Sequence, residues 1–71
     1  MPIVNFSLQT EYIALNDLLK ATGVAQSGGE GKALVAQGIV KVDGKQETRK
    51  TAKIRAGQKV AIDTYFIHVS A

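Results

Sequence analysis

The sequence predicts an α+β domain, with a helix pair in its first half and antiparallel hairpins in its second. Three observations lead there. Leu15, Leu18, Leu19 and Thr22 recur at i, i+3, i+4 and i+7, the spacing of a helix with one buried stripe. Ser27 and Glu30 have the Ser-x-x-Glu spacing of a capping box, which opens a second helix. Downstream, β-prone runs flank two tight-turn signals, Asp43-Gly44 and Asp63-Thr64.

In chain order, Ile3 to Leu8 alternates apolar Val4, Phe6 and Leu8 with polar Asn5 and Ser7, and reads as an edge strand. Pro2 precedes it and breaks nothing, and Gln9 to Glu11 is a connection. The first helix is expected over about residues 14–22, with Tyr12 and Ile13 anchoring its start and Gly23 stopping it. Gly23 to Gln26 is a short link, so the two helices form a compact αα unit. The second helix runs from Ser27 to about Gln37, with Gly31, Leu34, Val35 and Gly38 on its inner stripe. A mid-helix glycine costs about 1 kcal/mol against alanine, so Gly31 marks a close approach of the helices.

Residues 39–42 form a strand with Val40 and Val42 on one face and Ile39 and Lys41 on the other. Asp43-Gly44 turns it into a return strand starting at Lys45. Thr48 to Lys53 reads as an exposed connection, and Ala56-Gly57-Gln58 as a turn. Residues 59–62 and 65–69 pair as a closing hairpin.

The chain is 71 residues long, which is one domain. A chain of this size buries roughly 60% of its unfolded surface, so a single apolar cluster must hold it. It has no cysteine, which removes disulfides, thiolate metal sites and thiol catalysis. No apolar run approaches the roughly 18 residues a membrane span needs, and no basic-then-apolar signal opens the chain. A soluble, cytoplasmic protein is the expectation.

The net charge of +3 is mild, but it is unevenly placed. Seven basic residues (Lys41, Lys45, Arg49, Lys50, Lys53, Arg55 and Lys59) stand against Asp43 and Glu47 in residues 41–59. Outside that window Lys20 and Lys32 face four acids. A segregated basic segment on a small domain is the footprint of a polyanion binder. The opening turn of the second helix adds to it, because Gly28 and Gly29 leave backbone N–H donors uncovered at the positive end of the helix dipole. Lys32, one turn on, can close over an anion there.

Catalysis is poorly represented. His68 alternates with Ile67 and Val69 as a strand-face residue, and Ser27 serves as a cap. The Gly31-Lys32 pair fails the phosphate-loop spacing, with Gln26 in place of its first glycine and Ala33 in place of its hydroxyl residue. No metal constellation or cofactor motif is present, so no cofactor is expected. The scarcity of aromatics (Phe6, Tyr12, Tyr65 and Phe66) argues against a stacking platform for single strands, and all four are expected in the core or at its edge.

Several of these residues also carry a family likeness. Leu15-x-x-x-Leu19-x-x-x-Gly23-x-x-x-Ser27, then Lys32, Gly38-x-Val40-x-Val42-Asp43-Gly44 and Gly57-x-x-Val60, resembles the RNA-binding domain named after ribosomal small-subunit protein four. The likeness spans roughly residues 14–62. It is closest to short stand-alone members, the YbcJ/YaaA-like subgroup, through Ser27-Gly28-Gly29-x-x-Lys32 and Val42-Asp43-Gly44-x-x-Glu47-Thr48-Arg49. In the wider family Arg-Leu-Asp opens the first helix and an arginine follows the capping serine; here Ala14, Leu15 and Asn16 stand in the first place and Gly28 in the second.

The resemblance implies two antiparallel helices packed against a small, mostly antiparallel twisted sheet of four to five strands, the αL RNA-binding motif. It further implies a non-catalytic protein that holds structured RNA through phosphate and shape contacts. Carried over by position, Ser27, Gly28, Gly29 and Lys32 form the helix part of the surface, and Lys41, Lys45, Arg49 and Lys50 the hairpin and loop part. Lys20, Lys53 and Arg55 complete the expected set. The expected partner is RNA, ribosomal or transfer, with no membrane; the same charges would also suit an adaptor for an acidic protein surface.

Overall fold

The computed structural model describes residues 3–63 and 65–71. Its order is β1 (Ile3–Ser7), β2 (Ile13–Ala14), α1 (Leu15–Ala21), α2 (Gly28–Ala36), β3 (Val40–Val42), β4 (Lys45–Gln46), β5 (Lys53–Ile54), β6 (Lys59–Ile62) and β7 (Tyr65–Ser70). Five strands form one sheet in the order β1-β7-β6-β3-β4, and β2 pairs with β5 in a separate two-stranded ladder. The expected β1 is the sheet edge, but it runs parallel to β7, with Val4 opposite Ile67 and Phe6 opposite Val69. First and last strands can pair this way because the rest of the chain serves as the crossover a parallel pair requires.

The sheet has one covered and one open face, as its alternation dictates. Val40, Val60, Ile62, Ile67 and Val69 are buried, and they join Leu15, Leu18, Leu19 and Val35 of the helices in a single core cluster. Phe6 packs against that cluster, as expected. Phe66 does not: Ala61 is its cross-strand partner, and it lies on the open face. Tyr12 and Tyr65 are exposed.

Helix α1 starts one residue later than the apolar spacing suggests. Ala14 is extended (φ −66°, ψ 141°) and belongs to β2. Among the described residues no side chain caps α1. Instead the N–H of Leu15 donates to the Ala52 carbonyl at 2.8 Å, and that of Asn16 to the Lys50 carbonyl at 3.1 Å. Two of the orphan donors that begin any helix are thus met by a distant loop. At its end Thr22 Oγ1 donates to the Leu18 carbonyl at 2.9 Å, which lets a polar residue complete the stripe.

The loop that caps α1 corrects the expectation for residues 48–53. Its outer residues are exposed, but Ala52 is buried and Ile54, in β5, is 1% exposed in the core. A ladder of only two residue pairs, Ile13 with Ile54 and Ala14 with Lys53, is too short to show a period of two in sequence.

The β3–β4 turn places both Asp43 (φ 52°) and Gly44 (φ 85°) in the left-handed region, the geometry a two-residue hairpin requires. Asp43 also accepts from the Lys59 N–H at 3.0 Å and from Gln58 Nε2 at 3.1 Å, tying that hairpin to β6. Those bonds, the Lys59 backbone first, hold its carboxyl below the usual range. Asp63, after β6, is left-handed (φ 49°), and Thr64, the other residue of the expected Asp63-Thr64 turn, lies outside the described residues.

Candidate nucleic-acid interface

The start of α2 is built as the capping box predicts, with one change of partner. Ser27 is extended (φ −151°, ψ 166°), and its Oγ accepts from the Glu30 N–H at 3.1 Å. The Glu30 carboxylate accepts from the N–H of Gln26 at 3.2 Å rather than that of Ser27. Both acceptors are therefore engaged, and Gly28 and Gly29 at the dipole's positive end carry no side chain of their own, with the Asn16 and Asp17 side chains beside Gly28.

Asn16 connects this turn to the basic loop. It is 6% exposed, its backbone N–H holds the Lys50 carbonyl, and an atom in the Cβ position of Gly28 would lie 3.5 Å from its Nδ2. The α1 backbone at Asn16 also abuts Gly31, where a Cβ would stand 2.6 Å from the Asn16 carbonyl oxygen. Gly31 is therefore the close approach foreseen from sequence, and it sets the opening turns of both helices beside the Lys50 loop. Asp17 lies at the same place, 3.9 Å from that Gly28 position, and tempers the local charge.

The cations fall into separate sets. Arg49, Thr51, Ala52 and Lys53 line one open groove along the loop. Next to it, Lys53 Nζ lies 4.9 Å and the Arg55 guanidinium 5.7 Å from the centre of the Tyr12 ring, and Arg55 also pairs with Glu11 at 3.2 Å. The Tyr12 ring thus gathers two cations that sequence reasoning did not connect to it. Lys20 lies in the last turn of α1 and Lys32 sits four residues beyond Gly28, both exposed. Lys45 lies on the edge strand β4 opposite Val42.

Lys41 is placed elsewhere. Its register partners are Ala61 and Gln46, on the open sheet face, while its neighbours Val40 and Val42 face the helices. Strand parity therefore sends the Lys41 side chain away from the start of α2, while the Lys50 loop lies beside that turn.

Arg49 is held in place by Glu47. Its Nε and Nη2 donate to the two carboxylate oxygens at 3.1 and 3.0 Å, and its own N–H donates to Oε2 at 3.0 Å. The Arg49 side chain nonetheless remains 80% exposed. These bonds, the guanidinium first, bring the Glu47 carboxyl down to about 2. A forked pair of this kind fixes the plane of the guanidinium and leaves its outer edge free to donate.

Among the described residues no group of three His, Cys, Asp or Glu side chains is arranged to hold a metal ion. Nor is any helix among them long and apolar enough to cross a membrane.

Residues 6–70 match the S4 domain family, and the chain belongs to it. The matched span is wider than the residues 14–62 whose motifs are legible by eye. Among individual relatives, the chain is 44% identical to the "Putative RNA-binding protein YbcJ" of Escherichia coli (strain K12) over 97% of its own length and 100% of the relative's. A YbcJ protein of Shigella flexneri, described as uncharacterized, matches with the same identity and coverage. The solution structure of YbcJ from E. coli, described as revealing an αL motif involved in RNA binding, superposes with a TM-score of 0.77 at 43% identity. That match covers 100% of this chain and 91% of the other.

Proposed function

We propose that this protein is a non-catalytic RNA-binding module that holds structured RNA through phosphate and shape contacts. The observation that carries the reading is the joint at Asn16, which seats the Arg49–Lys50 loop beside the glycine-built opening turn of α2. Backbone donors at a helix start and cations beside it are complementary to a phosphate backbone. The membership in the S4 domain family and the RNA-binding descriptions of the YbcJ relatives support it.

In this reading Ser27, Gly28, Gly29 and Lys32 supply the helix side of the surface. Arg49, Lys50, Lys53 and Arg55 supply the loop side, with Lys20 and Lys45 at its margins. The cytoplasm, where folded RNA is available, is the proposed location. The test is anisotropy with a stem-loop RNA over a range of salt concentrations. Arg49→Glu and Lys50→Glu are each expected to weaken binding regardless of sequence and to lower the salt slope by about one. Unchanged affinity in both variants would remove the loop from the interface.

A further inference from the structure

The open face of the five-stranded sheet carries a second set of groups that the αα surface does not use. Register places Ile3, Phe66, Ala61, Lys41 and Gln46 in one row across all five strands. The next row places Asn5, His68 and Lys59 side by side. The small residue in the first row, Ala61, leaves a hollow of about 420 Å³ bounded by Phe66, Lys41, Lys59, Gly44 and Gly57. The Phe66 and His68 rings adjoin along β7, their centroids 6.3 Å apart and tilted by 53°.

The chemistry of this hollow favours one kind of occupant. Asp43 is the acid that borders it, and both its oxygens are committed to the Lys59 N–H and Gln58 Nε2. The Lys41 and Lys59 side chains therefore border a half-exposed aromatic ring, with the hydrogen-bonded Asp43 carboxylate as the one acid in the lining, so the rim keeps a net positive charge. A flat apolar group stacked on Phe66 over Ala61, carrying an anion within reach of Lys41 or Lys59, satisfies every feature at once. A nucleotide of an unpaired strand has that form. A base paired within a duplex could not present its face to the ring.

We propose that this sheet face binds an unpaired RNA segment, with a base stacked on Phe66 and its phosphate neutralised by Lys41 and Lys59. His68 and Asn5 extend the track along β7 and β1. The inference rests on the RNA-binding reading of the helix and loop surface and adds a second subsite for the strand that leaves the folded element. The whole domain measures 28 × 23 × 21 Å, so a few nucleotides suffice to pass from one face to the other.

The experiment uses the full chain and two labelled RNAs, a blunt stem-loop and the same stem-loop with a short oligouridine tail. The wild type is expected to bind the tailed RNA more tightly, by roughly tenfold for one stacked base. Phe66→Ala and Lys59→Gln should each abolish most of that gain and leave the blunt stem-loop affinity as it was. Neither change opens the core, since both side chains lie on the open face. A tail that adds nothing, or one whose gain survives both substitutions, overturns the sheet-face subsite and leaves the stem-loop reading standing. Failure to bind either RNA overturns both. Oligouridine alone, added to isotope-labelled protein, should shift the amide signals of Phe66, His68 and Lys59; shifts confined to residues 47–55 count against the subsite.

Discussion

Replacing Gly31 with alanine sets two known effects against each other. In an unconstrained helix interior the change stabilises by about 1 kcal/mol, because glycine loses more backbone freedom on folding. Here the new methyl would meet the Asn16 carbonyl oxygen at 2.6 Å, its Cα at 3.2 Å and its carbonyl carbon at 3.3 Å. All three are backbone atoms of a packed helix, so no rotamer change relieves the overlap. Overpacking of this kind costs about 1–3 kcal/mol, and three close backbone contacts place it towards the upper end. The net expectation is a loss of about 1–2 kcal/mol, or roughly 5–15 °C in melting temperature for a domain of this size.

Gly29→Ala is the internal control, since its methyl would find only Ser27 Oγ, at 3.8 Å. That variant should match the wild type or gain up to about 1 kcal/mol. Urea unfolding followed by circular dichroism, read as a midpoint shift at constant slope, measures both. Because Asn16 also carries the Lys50 loop, Gly31→Ala should weaken stem-loop RNA binding as well. A Gly31→Ala protein as stable as the wild type would refute the argument, for it would mean that the helix pair separates at no cost.

The remaining predictions concern charge. Gly28→Asp has room for its Cβ, with Asn16 Nδ2 3.5 Å and Asp17 Oδ1 3.9 Å away; an acid in the first turn of a helix is favourable, and repulsion from Asp17 offsets that gain. Stability should hold while stem-loop affinity falls severalfold; an unchanged affinity would make that turn purely structural. The Glu47 carboxyl should titrate near pH 2 by NMR. Its lowered value means that the Arg49 clasp contributes fully above the ordinary glutamate range, near 4.5, and is lost as pH falls from there towards 2. Arg49→Gln should return the titration towards 4.5, and a wild-type value already there would show that the clasp does not form in solution.

Much of the fold was legible because its signals are local. The stripe of Leu15, Leu18 and Leu19 is fully buried, and Ser27 caps α2 through the predicted Glu30 N–H. The Asp43-Gly44 pair makes the predicted turn, and Gly31 marks the predicted contact. What escaped was non-local. The β2–β5 ladder has two residue pairs and no period to read, so the sequence of Thr48 to Lys53 reads as exposed connection although Ala52 is buried. The parallel partnership of β1 with β7 joins strands nearly a whole chain apart. The sequence suggests a place for Phe66 in the core or at its edge, and the register of β7 puts it on the open side instead.

The candidate site divides along the same line. Residue types and spacing were enough to name a basic segment and a glycine-opened helix as parts of one polyanion surface. Which cations share a side with that helix was decided by strand parity and by the Lys50 carbonyl resting on α1, neither of which leaves a mark in composition. Capping boxes, turns and helical stripes act over a few residues, so the chain alone determines them. The side of a sheet on which a lysine stands follows from pairing between distant segments, and that exists only once the chain has folded.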